Sequence, residues 1–139
     1  MSQLTAQQQQ ALSRDNNLSV TAGAGTGKTL LLVERYLDIL INEPVDVKEI
    51  LAITFTKKAA AEMKERVVKR IEEKLDSDLS ESANQKLIHA RDRMSSASIS
   101  TIHAFCSRLL REYPVEAGLD PDFRQLNDMQ RQLLLDEEL

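Results

Sequence analysis

At 139 residues, with 42% hydrophobic, 29% charged and only 4% aromatic side chains, the chain has the composition of one globular domain and is too short for a multidomain machine. Its formal net charge of -4 excludes a module that holds nucleic acid by bulk positive charge, though not a local basic surface. The single cysteine, Cys106, excludes an internal disulfide and fits a reducing cytoplasm; no apolar run exceeds four residues, against the roughly twenty that span a bilayer, so neither export nor membrane insertion is expected.

Taken in chain order, Thr5 to Ser13 reads as a short polar helix and Arg14 to Asn17 as a turn, followed by a strand at Leu18 to Ala22. Three of the four glycines then fall within five residues. Leu30 to Ile41 is apolar on nearly all sides, as in a helix buried against a sheet, and Pro44 closes it. Ile50 to Phe55 suits a buried parallel strand. Ala60, Met63, Val67, Ile71 and Leu75 recur at helical spacing, which predicts a helix from about Lys58 to Leu75. Asp76 to Asn84 reads as a polar linker, Gln85 to Arg93 as a helix, Ser98 to Ser100 as a third strand and Thr101 to Glu112 as a helix. Pro114, Gly118 and Pro121 mark a loop before a last helix, Asp128 to Leu139. Strands alternating with helices are the grammar of an α/β domain with a parallel sheet.

The glycines belong to Ala22-Gly23-Ala24-Gly25-Thr26-Gly27-Lys28-Thr29, between a predicted strand and a predicted helix. A triphosphate needs several backbone N–H groups converging on its oxygens, and glycine permits both the unusual backbone angles and the close approach. The helix starting near Lys28 adds the positive end of its dipole. Lys28 would reach the β- and γ-phosphates of ATP, and the Thr29 hydroxyl would ligate Mg²⁺. The strict pattern has Gly where this chain has Ala22, a minor departure. The loop alone fits kinases, GTPases, transporters and motors.

Three flanking segments resemble those of UvrD-like superfamily 1 DNA helicases. Leu4-Thr5-Ala6-Gln7-Gln8 is similar to the family's glutamine motif, and the resemblance implies that Gln8 reads the adenine edge with its amide donor and acceptor. Ile53 to Met63 is similar to the family's second segment, which implies that Phe55, Thr56 and Lys57 meet single-stranded DNA; by residue type alone, Phe55 reads rather as core and Lys57 and Lys58 as a solvated helix start. Ser98 to Cys106 resembles the third segment, which implies DNA contacts from Thr101 and His103. Its Thr-Ile-His-Ala-Phe-Cys form, and Leu30 where UvrD itself has arginine, point toward the RecB and AddA branch. Read without that resemblance, Ser100 or Thr101 is a helix N-cap, His103 a surface group, and Phe105 and Cys106 core.

The resemblance implies a partial RecA-like phosphate-loop domain, incomplete at its C-terminal end, over residues 1–113, with an inserted helical subdomain beginning at 114–139. The parent would be an ATP-dependent helicase acting in recombination and repair, in which a helicase–nuclease partner subunit is possible. In that family the carboxylates and arginine that hydrolysis needs lie beyond residue 139. The chain would then expose sheet edges that invite self-association. Two alternatives stay open. One is a small self-contained NTPase or kinase using Asp136 and Glu137 after Leu133 to Leu135, although those leucines read better as helix than as strand. The other is a non-catalytic nucleotide-binding module.

Overall fold

The computed structural model describes residues 5–14, 17–21, 23, 27–127, 129–130 and 132–133. They divide into two compact units, Met1–Ile102 and His103–Leu139. The expected boundary at residue 113 falls just past the end of a helix inside the second unit.

The first unit is organised around helix α2 (Lys28–Asn42), which buries Leu31, Val33, Tyr36, Leu37 and Leu40. α1 (Ala6–Gln10) precedes it, shorter than expected. α3 (Lys57–Leu75) buries Ala60, Met63, Val67 and Ile71, the expected helical stripe, and starts where the Thr56 hydroxyl accepts the Ala59 N–H at 3.0 Å. α4 (Glu81–Asp92) begins four residues before its expected start at Gln85. The reason is local: the Ser80 hydroxyl caps the Ala83 N–H, Glu81 complements the helix dipole in the first turn, and Ala83 is already in the core. A 3₁₀ turn at Met94–Ser96 leads into the sheet.

The sheet has two short parallel strands, β1 (Ala52–Thr54) and β2 (Ile99–Thr101), with Ala52 opposite Ile99, Ile53 opposite Ser100 and Thr54 opposite Thr101. Ile99 and Thr101 are buried, whereas Ile53, on the other face, is 48% exposed. The expected burial of β1 on both faces is not met; only one face is covered. The expected strand at 18–22 is not part of this sheet: residues 18–21 form no ladder, Leu18 and Val20 remain exposed, and Ala22 lies outside the described residues. Strand geometry needs a partner, and the one described ladder joins β1 to β2.

Polar contacts fix how these layers meet. Glu34 of α2 is only 8% exposed, yet it pairs with Arg70 and Lys74 of α3, and Arg70 also holds Glu73 at 2.8 Å. Lys86 of α4 donates to the carbonyls of Ile41 and Glu43 at 2.7 and 3.2 Å, closing the C-terminal end of α2. Buried Val47 anchors the connection from α2 to β1, and its carbonyl accepts the Tyr36 hydroxyl at 3.3 Å.

α5 (Ile102–Glu112), an amphipathic helix with no buried residue, starts at the last residue of the first unit and otherwise belongs to the second. The Arg108 guanidinium lies over the Phe105 ring at 5.7 Å, and that of Arg111 over the Phe123 ring at 5.3 Å. Of the expected last helix, residues 129, 130, 132 and 133 are helical, and the rest lies outside the described residues.

Burial first, and the nearby Asp46 charge second, push the Tyr36 phenol from 10.0 up to about 12. A raised folded pKa means that the contribution to stability is intact below pH 10 and is lost as the pH climbs through about 12. Tyr36→Phe should therefore flatten the fall in urea midpoint across that window. Identical alkaline slopes for the two proteins would refute the buried phenol.

Candidate functional site

At the start of α2, Gly27 adopts φ 82° and ψ 20°, a left-handed conformation that side-chain-bearing residues rarely tolerate. It has no side chain with which to cap the helix, and the first turn carries no acidic residue. The positive end of the α2 dipole is thus not neutralised by a carboxylate of its own first turn, which suits an anion there. Lys28 reaches back and donates to the Gly23 carbonyl at 3.2 Å. Thr29, one residue further, is exposed. Ala22, Ala24, Gly25 and Thr26 of the expected loop lie outside the described residues.

Gln8 comes to the same place from the other side. A Cβ built on Gly27 would stand 3.5 Å from Gln8 Nε2, so the glutamine amide lies against the loop. Its orientation is set by a reciprocal cap: the Thr5 N–H donates to Gln8 Oε1 at 2.9 Å, and the Gln8 N–H donates to Thr5 Oγ1 at 3.3 Å. Next to Lys28, a cavity of ≈ 500 Å³ is lined by Ala11, Leu18, Val20, Leu31, Leu32 and Arg35.

The second group of expected residues sits at the carboxyl ends of the strands, the end at which open parallel sheets bind ligands. Phe55 is 98% exposed and takes no part in the core, which removes the core alternative for it within this unit. Thr56 is the cap of α3, and its carbonyl accepts the Thr54 hydroxyl at 3.0 Å. Lys57, the first residue of α3, is exposed. Thr101, opposite Thr54 in the ladder, is 7% exposed and turned to the covered face. His103 is exposed and belongs to the second unit; Cys106 is exposed there rather than core. The structure thus groups Gln8, Gly23, Gly27 and Lys28 around one loop, and Phe55, Thr56 and Lys57 at one strand end. Among the described residues no cluster of three or more His, Cys, Asp or Glu side chains could hold a metal, and Asp136 and Glu137 lie outside them. No described helix is long and apolar enough to cross a membrane.

Sequence reasoning missed Arg35 and Arg14. The Arg35 guanidinium donates to the Ala11 carbonyl at 2.7 Å, and Arg14 pairs with Asp38 at 3.0 Å and Glu43 at 2.5 Å, so both tie the segment around α1 to α2. A contact between side chain and backbone across 24 positions leaves no local sequence pattern to find.

Comparison with known proteins agrees with the resemblance drawn from the motifs. The A subunit of the ATP-dependent helicase/nuclease of Desulforamulus reducens is 41% identical over 133 residues, which cover 94% of this chain and 10% of that protein. The protein of the same name in Staphylococcus haemolyticus is 35% identical over 134 residues, covering 96% of this chain and 11% of its own length. That of Listeria innocua is 40% identical over 129 residues, covering 89% and 10%. The chain therefore spans about a tenth of the length of these relatives, which are AddA proteins, of the branch to which the segment around His103 points. Residues 4–139 match the UvrD/REP helicase N-terminal domain, and the chain belongs to that family.

Proposed function

We propose that this chain binds ATP with Mg²⁺ and forms the N-terminal motor segment of a UvrD/RecB-like helicase, whose whole polypeptide couples ATP hydrolysis to translocation on and unwinding of DNA in recombination and repair. The observation that carries this is the convergence of Gln8, Gly27 and Lys28 on one loop at the N-terminus of a 15-residue buried helix. A rigid helix start, a dipole with no carboxylate in its first turn and a lysine that reaches back to the Gly23 carbonyl match the needs of a polyphosphate. Gln8 would read the base, the loop at residues 22–29 would hold the phosphates with Lys28 at the β- and γ-positions, and Thr29 would ligate the metal. Bound magnesium supplies charge neutralisation between the phosphates.

Single-stranded DNA would meet Phe55, Thr56 and Lys57, with Thr101 and His103 contributing from the third segment. A phenyl ring 98% exposed forgoes about 1.5–3 kcal/mol of burial, and base stacking offers about 1–3 kcal/mol in return. We place the protein in the cytoplasm, and because the relatives are named as one component of a helicase/nuclease, a helicase–nuclease partner subunit is the natural assembly. Residues 1–113 would be the first part of the motor domain, and 114–139 the start of its inserted helical subdomain. Because each strand of the described sheet has one neighbour and Ile53 is half exposed, the isolated chain should also self-associate.

Three outcomes follow from these assignments. In calorimetric titration with Mg²⁺-ATP, Lys28→Ala should weaken binding by about tenfold or more, as expected for loss of a charge-assisted phosphate contact. An unchanged affinity, or no binding by the unsubstituted chain, would sink the nucleotide assignment. Gly27→Ala should cost about 1–2 kcal/mol in urea unfolding from its left-handed backbone alone, since 3.5 Å to Gln8 is ordinary contact, while Gly27→Asn should cost less. Equal midpoints for all three proteins would contradict the positive φ. In light scattering, the mass should rise with concentration; a monomer up to high concentration with a cooperative melt would exclude association through the sheet.

A further inference from the structure

We propose that Arg35 is a positioning residue for Gln8, setting how strongly the site distinguishes a nucleotide from a bare polyphosphate. The inference rests on the ATP-binding function above and adds to it a residue that no motif marks.

α1 is five residues long, far below the length at which a helix is stable by itself, so its placement comes from outside contacts. Its N-terminal end is closed internally by the Thr5 and Gln8 cap, which holds Gln8 Oε1 against the Thr5 N–H and sets Nε2 on the side of Gly27. At its C-terminal end the chain turns through two backbone bonds, Leu12 N–H to Gln9 and Ser13 N–H to Gln10. The Ala11 carbonyl in that turn is met by the part-buried Arg35 guanidinium at 2.7 Å, and Ala11 itself is buried. An arginine at a helix C-terminal end satisfies an orphan carbonyl and complements the dipole.

Arg35 lies on the same helix that begins at Lys28. One rigid element therefore holds both the phosphate loop and, through Arg35, the segment that presents Gln8. Among the described residues, the ion pairs of Arg14 with Asp38 and Glu43 also tie the segment, but they are more than a quarter exposed at every partner and screened by solvent, so they hold it less firmly. Without Arg35, α1 keeps its cap but loses its register on α2, and the Gln8 amide loses its fixed distance from the loop. The phosphate contacts of Lys28 do not pass through Arg35.

The test compares Mg²⁺-ATP with Mg²⁺-tripolyphosphate, which carries the phosphates and no base, by calorimetric titration of the chain and of Arg35→Ala, Arg35→Lys, Gln8→Ala and the Arg35→Ala/Gln8→Ala double variant. The unsubstituted chain should prefer ATP. Arg35→Ala should reduce that preference by about fivefold while leaving tripolyphosphate affinity within about twofold, as for one lost neutral hydrogen bond at the base. Arg35→Lys, which keeps a donor for Ala11, should restore part of the preference. The double variant should lose no more than Gln8→Ala alone, because both act through one contact. Equal losses for both ligands, or an Arg35→Ala effect that persists without Gln8, would overturn the positioning role while leaving phosphate binding standing. Should Arg35→Ala not fold, an Arg35→Lys preference identical to that of the unsubstituted chain with Gln8→Ala inert would overturn it equally. Failure of the unsubstituted chain to bind either ligand removes the ATP-binding function itself, and the inference with it.

Discussion

The burial of α2 against α3 and α4 is the constraint on which the rest of the first unit depends. Five apolar side chains of α2 enter the core, and Leu37 is fully buried. That burial fixes the rotation of the helix, which in turn determines where its polar positions point. Glu34 faces α3, where Arg70 and Lys74 meet it; Arg35 faces Ala11; and the N-terminus carries Gly27 and Lys28. A carboxylate this buried would be costly if unpaired, so the two α3 cations are a condition of the packing rather than an addition to it. Glu73 first, and Glu34 after it, hold the Arg70 guanidinium above its ordinary range against the lowering effect of burial, so it stays charged for that purpose.

The sheet is the complement of this arrangement. Its covered face buries Ile99 and Thr101, but its other face presents Ile53 half exposed, Leu51 nearby at 44% and Phe55 at 98%. Parallel strands are ordinarily covered on both faces, and two strands of three residues bury too little to be stable without the helices. The stability of this unit therefore comes from its helical layer, and the strands serve mainly to aim their carboxyl ends. The turn after β1 shows how this works: the Thr54 hydroxyl binds the Thr56 carbonyl while the Thr56 hydroxyl caps α3, so the chain reverses within two residues and leaves Phe55 outward. The sequence motif and the turn are the same residues. The polar groups that make the segment recognisable are those that shape it.

The parts of the structure most legible from sequence were those with a long one-sided pattern. α2 and α3 are visible because apolar side chains recur over 15 and 19 residues, and the Gly-rich loop because so few backbones need that many glycines. The start of α4 was obscured by polarity: Ser80-Glu81-Ser82 reads as linker by composition, and only the cap at Ser80 makes it helix. Leu18 to Thr21 has the composition of a strand, but composition cannot supply the neighbour that makes a ladder. Glu34 was hidden in a helix that looked apolar on nearly every side, because a buried charge is recognised by its partners, 36 and 40 positions away, and not by its own neighbours. At the site, Lys28 and Gly27 were readable as a motif, whereas Arg35 was not, since its partner is a backbone carbonyl that any residue could offer.

These contacts separate two tasks that an ATP-driven motor performs with adjoining groups. Under the proposed function, the uncapped helix start and the capped glutamine would address a nucleotide as it is bound, before any bond changes, whereas Lys28 at the β- and γ-phosphates would also meet the charge that moves during transfer. The first two lower the free energy of the bound ground state and the transition state together, which gives affinity without turnover. Acceleration needs charges aimed at what develops during phosphoryl transfer: a carboxylate for the metal, a group on the attacking water and an arginine on the departing charge. Arg35 cannot serve as the last of these while it is bound to Ala11, and Arg14 is committed to Asp38 and Glu43. Arg35 on α2 and Arg14 ahead of it are thus engaged in holding the segment around α1 against α2, and under the proposed function the charges that drive hydrolysis would come from other groups.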